Sequence, residues 1–382
     1  MNKQQIPVIV LAGFLGSGKT TLLNHLLHRS GGSRIGAIVN DFGSIEIDAM
    51  SVAGQLGDST VSLGNGCLCC AVDAGELDEY LDRLARPSAG IDVIVIEASG
   101  LAEPQELVKM LLASENPHIV YGGLVEVVDA AEFDATRGRH PELDRHLGIA
   151  DLVVVNKTDR VPDEERERIL GVVRGLAGRA AVVAASFGRV DVELFFDRAP
   201  VGERVGQLSF DDLRDFDEPR DLDHPSDLDA PLDHEADGDH EADGDHHDHL
   251  HSAYESLSFT SEAPMEPRSL MALLDSRPEG LYRIKGYVDF GAADPRNRYL
   301  VHAVGRFLRF YPQPWAPAEP RLTQLVLIGS GIDVRTLEKE LEACRTYAPQ
   351  ADEHGMWGVL RYVQEPDDHP DDQPAGRPDA QR

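Results

Sequence analysis

Lys19 and Thr20 end a glycine-rich segment, GFLGSGKT, whose spacing suits the binding of phosphate. The segment fits the pattern G-x-x-x-x-G-K-[ST], in which backbone N–H groups turn inward around phosphate oxygens. Lys19 would reach the β- and γ-phosphates of a nucleotide, and the Thr20 hydroxyl would ligate Mg²⁺. The alternative is a glycine-rich turn with an unrelated lysine, which the complete pattern argues against. The predicted phosphate-binding residues are Gly13, Gly16, Ser17, Gly18, Lys19, Thr20 and Thr21.

A second polar segment, EASG, follows the apolar run DVIVI. Glu97 lies where an acidic residue would complete the Mg²⁺ shell, directly or through water, and act in catalysis with Lys19 and Thr20. The Gly100 N–H would contact the γ-phosphate. The alternative is a strand-end carboxylate that caps the next helix. Leu101, and not Gln, follows Gly100, so no water-orienting residue is visible and we expect slow unaided hydrolysis.

NKTD, at residues 156–159, directly follows the apolar run LVVV, about 140 residues beyond the glycine-rich segment. The Asp159 carboxylate can accept hydrogen bonds from N1–H and the exocyclic amine of guanine, which adenine does not offer in that geometry. The Lys157 stem can cover the base, and Asn156 can brace the loop. Such a tetrapeptide is common by chance, but its place at a strand end after a phosphate-binding loop indicates GTP rather than ATP.

Cys67, Cys69 and Cys70 lie within four residues, in the segment GCLCC. Adjacent Cys69 and Cys70 have Cα atoms about 3.8 Å apart, which is too close for normal disulfide geometry. Three thiolates at this spacing suit a soft or borderline metal ion, and a site with fewer than four protein ligands can release its metal. A redox centre or inert packing cysteines are the alternatives. Asp41, in NDFG, is either an additional oxygen ligand or a loop residue near Mg²⁺.

An acidic tract later in the chain is rich in histidine. It contains HEADGD twice in tandem and continues as HHDHLH. Imidazole and carboxylate groups in such a tract can capture Zn²⁺, Co²⁺ or Ni²⁺ loosely, whereas the alternative is a solvated acidic linker. Six histidines within eighteen residues favour metal capture. They are His234, His240, His246, His247, His249 and His251.

Alternating strands and helices must position these residues. Short apolar runs predict strands, and leucines at helical spacing after the first and third runs predict helices. This alternation predicts an α/β fold with a doubly wound, mostly parallel sheet, in which ligands bind at the carboxyl ends of the strands. The glycine-rich segment, NDFG, GCLCC, EASG and NKTD all fall at such ends. The predicted strands include Val8–Leu11, Ile35–Asn40, Thr60–Leu63, Asp92–Ile96, Leu124–Val128, Leu152–Val155 and Ala180–Ala184.

The composition divides the chain into four parts. Residues 1–200 form the predicted nucleotide-binding domain, and residues 201–253 a disordered acidic linker rich in His and Asp. From SLSFTSE to TQLVLIG the pattern alternates as in an antiparallel sheet, with two helical segments, which predicts a smaller α+β domain over 254–364. Residues 365–382 form a predicted disordered tail.

Charge is distributed unevenly along the chain, and its sign limits the classes of molecule that the protein is expected to bind. Residues 211–248 contain seventeen acidic residues and two arginines, which supply close to half of the formal net charge of −31. The negative electrostatic field of these carboxylates disfavours binding to nucleic acid and to anionic membranes, and it favours binding of cations. We found no signal peptide and no apolar run of membrane-spanning length, and four cysteines do not form a disulfide framework, so we expect a cytoplasmic protein.

Together these motifs resemble one family. GFLGSGKTT, NDFG with Ile47 and Asp48 after it, GNGCLCC, EASGLAEP, NKTD and RIKG are similar to the motifs of CobW-type GTPases, a metallochaperone group that includes the nickel-insertion GTPases of urease and hydrogenase. Asp41 stands where that family usually has Glu. The resemblance covers nearly the whole chain outside the linker and the tail, and CLCC after a phosphate-binding loop is its most specific element.

The resemblance implies a GTP-hydrolysing N-terminal domain and a CobW C-terminal domain that begins near Ser256. It assigns Lys19, Thr20 and Glu97 to phosphate and Mg²⁺, and it assigns NKTD to guanine and the three cysteines to metal. Our leading hypothesis is a GTP-dependent metallochaperone. It would collect a metal, for which we favour Zn²⁺ over Co²⁺ and Ni²⁺, and deliver it to a client apo-metalloprotein; a metal-dependent homo-oligomer fits the same ligands.

Three other functions fit parts of the sequence. A cobalt chaperone for cobalamin synthesis or for nitrile hydratase would need the same ligands. A metal-storage protein would use the histidine tract as a buffer and the nucleotide as a structural or regulatory group. A general signalling or translational GTPase predicts that replacing the three cysteines by serine changes nothing.

Overall fold

Two sheets, one parallel and one antiparallel, form the framework of the protein. The computed structural model describes residues 5–30, 32–40, 60–63, 74–100, 103–196, 254–317, 319–346 and 355–363. The linker predicted over 201–253 and the tail predicted over 365–382 lie outside these ranges, so the four-part division of the chain stays a prediction.

The N-terminal sheet has seven strands. They are β1 (Ile6–Ala12), β2 (Ile35–Asn40), β3 (Thr60–Leu63), β4 (Val93–Glu97), β5 (Ile119–Asp129), β6 (Leu152–Asn156) and β7 (Ala181–Ala184). All are parallel, in the order β3-β2-β4-β1-β5-β6-β7. Because β1 lies between β4 and β5, the loop after β1 emerges beside the ends of both neighbours, where such sheets bind ligands.

Helices cover both faces of this sheet, which confirms the predicted fold class. They are α1 (Lys19–His28), α2 (Ala74–Leu84), α3 (Pro104–Ala113), α4 (Phe133–Arg139), α5 (Glu142–Ile149) and α6 (Asp163–Ala177). The α1 leucines pack against one sheet face, and Leu77 and Leu107 pack against the other. Helices α4 and α5 were not predicted from the sequence, because they are short and bury few apolar residues, among them Phe133 and Leu147.

The C-terminal domain has a five-stranded antiparallel sheet, as predicted. Its strands are β8 (Glu255–Ser261), β9 (Leu281–Val288), β10 (Asn297–Val304), β11 (Phe307–Pro314) and β12 (Thr323–Gly329), in the order β11-β10-β9-β12-β8. Strand β8 shows the expected alternation, because Leu257, Phe259 and Ser261 are buried and their neighbours are exposed. Strands β10 and β11 form a hairpin through Gly305, at φ 52°.

Three helices, α7 (Pro267–Ser276), α8 (Val334–Ala343) and α9 (Trp357–Leu360), accompany this sheet. Carboxylates begin the two longer ones. Glu266 accepts hydrogen bonds from the first N–H groups of α7, and Asp333 does the same for α8. These caps satisfy backbone donors that have no partner within the helix. Within the described ranges, no helix is long and apolar enough to cross a membrane.

The two domains share a packed junction. Tyr282 and Val304 of the C-terminal sheet belong to the same apolar cluster as the α1 leucines. His302 Nε2 lies 3.0 Å from the Tyr121 carbonyl oxygen of β5. The Ser330 hydroxyl donates to the carbonyl oxygen of Val182 in β7 at 2.9 Å. The antiparallel domain is therefore held directly against β5 and β7 of the parallel sheet.

Candidate functional site

The loop between β1 and α1 is built on glycine conformations. Gly13, Gly16 and Gly18 have φ values of 139°, 77° and 104°, which other residues rarely adopt. A Cβ at Gly13 would lie 2.3 Å from the Val127 carbonyl oxygen, whereas a Cβ at Gly16 would meet nothing within 4 Å. The loop thus fits tightly against β5 on one side and is open at Gly16, as a phosphate-binding loop requires.

Lys19 folds back across this loop. Its Nζ donates to the carbonyl oxygens of Gly13 at 2.8 Å and Phe14 at 3.3 Å, and the residue is buried. Ser17 is also buried, and its hydroxyl has no hydrogen-bond partner among the described residues. Thr21, in the first turn of α1, is exposed. The buried ammonium gives the loop the positive charge that phosphate oxygens need.

Thr20 and Glu97 are brought together from different elements. The Thr20 hydroxyl donates to Glu97 Oε1 at 2.8 Å, and Glu97, at the end of β4, is paired in register with Leu11 of β1. Only 5% of Glu97 is exposed. A hydroxyl and a carboxylate oxygen beside a phosphate-binding loop are ligands that Mg²⁺ accepts, so these residues fit the ion.

The segment after β4 lies directly against the same loop. A Cβ at Gly100 would lie 2.7 Å from the backbone nitrogen of Leu15. The close approach requires glycine here and places the Gly100 backbone beside the loop where a γ-phosphate would be bound. Leu101 and Ala102 lie outside the described residues.

Asn156 links three loops. Its Nδ2 donates to the Ser17 carbonyl oxygen at 3.0 Å, and its Oδ1 accepts from the Gly188 N–H at 2.9 Å. A Cβ at Gly18 would lie 2.3 Å from Nδ2. The buried Asn156 side chain therefore sets the spacing between the loops that follow β1, β6 and β7.

Lys157 adopts a left-handed conformation, with φ 59°, and its side chain crosses towards the glycine-rich loop. Its Nζ donates to Asp129 Oδ2 at 2.6 Å and to the Gly16 carbonyl oxygen at 2.5 Å. A cavity of about 290 Å³ is lined by these residues together with Phe14 and Leu15. Asp159 is exposed. An exposed carboxylate after β6 is free to accept hydrogen bonds from a base.

Two parts of this site were not predicted from the sequence. Asp129, at the end of β5, pairs with Lys157, and the segment 185–188 after β7 contacts the NKTD loop. The Thr158 hydroxyl donates to the Ala185 carbonyl oxygen at 2.9 Å, and Gly188 approaches Leu22 of α1 so closely that a Cβ would lie 2.9 Å from its nitrogen. The available signal was a polar segment, SFG, directly after a predicted strand.

A buried carboxyl group lies beneath the glycine-rich loop. Glu126 is fully buried in β5, in register with Ala12, and neither of its oxygens has a hydrogen-bond partner in the described structure. Burial raises the pKa of Glu126 to about 8, an effect partly offset by the nearby charge of Lys19. His146 Nδ1 lies 4.0 Å from Glu126 Oε1, and burial lowers the pKa of His146 although Glu103 opposes the shift. The glycine-rich loop thus rests on groups whose charge depends on pH.

The predicted ligands of the transition metal lie outside the described residues, unlike Thr20 and Glu97, the predicted ligands of Mg²⁺. Those outside are Cys67, Cys69, Cys70, Asp41 and the six histidines of the tract. Where the structure does describe the chain, no group of three His, Cys, Asp or Glu side chains could hold a metal ion. The strands next to the cysteine motif are described. Asn40, at the end of β2, pairs with Leu63, at the end of β3, and Val39 pairs with Glu97.

Comparison with known proteins agrees with this arrangement. Residues 7–184 match the family described as CobW/HypB/UreG, nucleotide-binding domain. Residues 254–345 match the family described as Cobalamin synthesis protein cobW C-terminal domain.

Several curated proteins are similar to this chain. Zinc chaperone CobW from Sinorhizobium sp is 30% identical over 363 residues, which cover 86% of this chain and 94% of that protein. Zinc chaperone CobW from Pseudomonas aeruginosa is 31% identical over 382 residues, covering 88% of this chain and 91% of that protein. Zinc chaperone YjiA from Escherichia coli is 32% identical over 200 residues, or 50% of this chain and 61% of that protein. By both domains and by full-length similarity, the chain belongs to the CobW family of P-loop nucleotide-binding proteins.

Proposed function

We propose that this protein is a GTP-hydrolysing metallochaperone that binds Zn²⁺ through Cys67, Cys69 and Cys70 and delivers it to a client apo-metalloprotein under the control of GTP. The proposal rests on one observation, which is that strands β3, β2, β4 and β1 end beside one another at nearly the same level of the sheet. Leu63 pairs with Asn40, Val39 pairs with Glu97, and Glu97 pairs with Leu11. The cysteine motif begins four residues after Leu63, and the phosphate-binding loop begins two residues after Leu11.

This alignment brings close together the strand ends from which the two functional segments continue. Neighbouring strands lie about 4.8 Å apart, so the three intervals from β3 to β1 span roughly 14 Å at this edge. Strands β2 and β4, which lead into NDFG and EASG, lie between β3 and β1 in the sheet. A γ-phosphate that holds those segments in one arrangement would change the surroundings of the thiolates, and hydrolysis would release them.

The nucleotide side of the proposal uses residues whose geometry fits the ligand. The open loop at Gly16 and the buried ammonium of Lys19 would hold the phosphates, and Asp159 would accept hydrogen bonds from guanine. Thr20 and Glu97 would hold Mg²⁺, which supplies positive charge opposite the transferring phosphoryl group. No water-orienting side chain follows Gly100 in the sequence, so unaided turnover would be slow.

The identity of the metal rests on the relatives and on ligand chemistry. The similar proteins of Sinorhizobium, Pseudomonas aeruginosa and Escherichia coli are named zinc chaperones. Thiolates suit Zn²⁺, and a set of three leaves a position from which a client ligand can remove the ion. The six histidines of the tract would capture the metal loosely before it reaches the cysteines.

The test is a competition titration against a zinc chromophore, with Mg²⁺ and either GTP or GDP. We expect the zinc affinity to differ at least tenfold between the nucleotides, a difference of about 1.4 kcal/mol. Cys69→Ser should abolish that difference. Cys344→Ser should preserve it, because Cys344 is buried in the C-terminal core.

Three results would contradict the proposal. Equal zinc affinities in both nucleotide states would exclude control by GTP. Binding of several metal ions per chain, without GTP turnover and without transfer to a zinc-dependent apo-enzyme, would favour storage. A GTPase rate stimulated by Co²⁺ but not by Zn²⁺ or Ni²⁺ would favour the cobalt chaperone.

A further inference from the structure

A second cavity, of about 410 Å³, lies at the junction of the two domains. The N-terminal domain contributes the ends of α5 and α6, and the C-terminal domain contributes the end of α7 and the turn between β10 and β11. Asp151, which lines the cavity, directly precedes β6, whereas Asn156 of the nucleotide site ends it. At about 3.3 Å per residue the two sites lie roughly 17 Å apart along that strand.

Three arginines line this cavity, and they come from both domains. Arg179 follows α6, Arg277 follows α7, and Arg306 lies in the turn between β10 and β11. In the described ranges, none of the three guanidinium groups forms a salt bridge with a carboxylate. Arg179 and Arg306 are exposed. Three positive groups therefore face one space in a chain whose formal net charge is −31.

The Arg277 side chain is held in place by backbone oxygens. Its Nε donates to the Leu274 carbonyl oxygen at 2.8 Å, and its terminal nitrogens donate to the carbonyl oxygens of Gly305 and Phe307. These groups carry no net charge, so they orient the guanidinium without forming an ion pair with it, although the charges of Asp275 and Asp151 also act on it. An oriented guanidinium loses less side-chain entropy when it binds an oxyanion.

Two carboxylates also line the cavity, and one of them is already engaged. Asp151 accepts hydrogen bonds from the Tyr121 hydroxyl at 2.6 Å, the Leu124 N–H at 2.9 Å and the Arg306 N–H. Burial raises the pKa of Asp151 above its ordinary value, and these three hydrogen bonds oppose the shift. Asp275 is exposed. Because three arginines line the cavity with two carboxylates, the balance of charge in it is positive.

We propose that this cavity is a binding site for a small organic anion, whose carboxylate or phosphate groups are bound by Arg179, Arg277 and Arg306. The guanidinium fork matches both kinds of oxyanion. Leu274, Leu281 and Leu308 provide apolar contacts for a carbon skeleton. The volume falls within the range of small-molecule sites, which often lie between domains. Because Arg179 belongs to one domain and Arg306 to the other, the bound anion bridges the junction.

The test uses the full chain with Mg²⁺ and saturating GDP, so that the phosphate-binding loop is filled. Glutarate and glycerol 3-phosphate are titrated separately by calorimetry at constant ionic strength. We expect saturable binding of at least one probe, with one site per chain and a Kd below about 1 mM. A preference for glutarate identifies a carboxylate ligand, and a preference for glycerol 3-phosphate identifies a phosphate ester.

Variants at the exposed arginines locate the site without disturbing the bonds of Arg277. Arg179→Gln combined with Arg306→Gln should raise the Kd at least tenfold without changing the melting temperature of the GDP-bound protein. Arg174→Gln is the matched control, because Arg174 is exposed on α6, the helix that Arg179 follows, and does not line the cavity. The proposal is overturned if neither probe saturates, if the double variant binds as tightly as the unchanged chain, or if Arg174→Gln weakens binding equally.

Discussion

The Asn156 carboxamide and the Ser17 carbonyl oxygen, 139 residues apart in the sequence, are joined by a hydrogen bond of 3.0 Å. The other end of the same carboxamide accepts from the Gly188 N–H. One buried side chain thus holds the phosphate-binding loop, the NKTD loop and the loop after β7 at fixed distances, and its two ends have different chemical requirements.

The substitution Asn156→Asp changes the donor end of this carboxamide and keeps the acceptor end. The variant keeps an acceptor for the Gly188 N–H but loses the donor to Ser17, so two acceptors face each other in a buried position. We expect a loss of about 1–3 kcal/mol in the free energy of unfolding, together with weaker GTP binding. Urea denaturation without nucleotide and a GTP titration measure the two effects.

Asn116→Asp is the control for this change. Asn116 Nδ2 donates to Asp82, and its Oδ1 accepts from the His118 N–H, so the same donor is lost and the same acceptor kept. These groups are solvent-accessible, and the loss of stability should stay below about 1 kcal/mol. Equal losses in the two variants would show that Asn156 does not brace the site.

The burial of Glu126 leads to a prediction about how the stability of the protein depends on pH. The folded chain keeps the Glu126 proton up to a pKa of about 8, whereas the unfolded chain releases it near the ordinary value of 4.5. Between these values the folded state binds more protons, so the free energy of unfolding falls as the pH rises. Glu126→Gln removes this contribution. Relative to the unchanged chain, the variant should gain on the order of 2–4 kcal/mol between pH 4.5 and 9.

The quantity to compare is the slope against pH and not the absolute stability, because the new amide brings its own hydrogen-bonding needs. His146 and Lys19, which face Glu126, are present in both proteins, so their contributions largely cancel. Glu115→Gln, at an exposed position, controls for the loss of one negative charge. Parallel curves of unfolding free energy for Glu126→Gln and the unchanged chain would exclude a buried protonated carboxyl group.

Gly123 tests the packing between the domains. Its φ is 114°, and a Cβ there would lie 2.7 Å from Val304 Cγ1 and 3.0 Å from the Tyr282 hydroxyl oxygen. Gly123→Ala should therefore cost about 2–4 kcal/mol in the free energy of unfolding. Gly138, within α4, has no atom within 4 Å of the position of its Cβ, so Gly138→Ala should stabilise by about 0.5–1 kcal/mol. Thermal unfolding measures the stability of both variants. Equal and small changes in the two would mean that β5 does not pack against β10.

The nucleotide residues could be selected from the sequence because their spacing is local. Gly13 to Thr20 form one continuous segment, and Glu97 and Asn156 each end an apolar run that reads as a strand. Since parallel strands share one carboxyl edge, the sequence also indicated that these ends would meet. That reasoning needs only the periodicity of each element and not the order of the strands.

The remaining contacts depend on strand order and close packing, which no local pattern reveals. Asp129 reaches Lys157 because β5 and β6 are neighbours. Strand β5 begins at Ile119, earlier than predicted, since Gly122 and Gly123 interrupt the apolar pattern where other backbone and side-chain atoms approach closely. Glu126 lies in an apolar strand where alternation alone would place a glutamate on an exposed face, so its burial could not be predicted.

The exposed carboxylate of Asp159 leads to a prediction about base specificity. A carboxylate accepts from both N1–H and the exocyclic amine of guanine, whereas a carboxamide offers one acceptor and one donor. Asp159→Asn should therefore weaken GTP binding about tenfold to a hundredfold and improve binding of xanthosine triphosphate, whose base has an oxygen in place of the amine. Because Asp159 is exposed, the free energy of unfolding should change little.

Asp163→Asn is the matched control. Asp163 lies four residues after Asp159, and its side chain is 87% exposed. It loses the same charge near the same loop and should leave the preference for GTP intact. Competition between the two triphosphates, at fixed Mg²⁺, measures the ratio of their affinities. An unchanged ratio in Asp159→Asn would mean that this carboxylate does not contact the base, and the guanine specificity would then have to come from the backbone of the loop after β7.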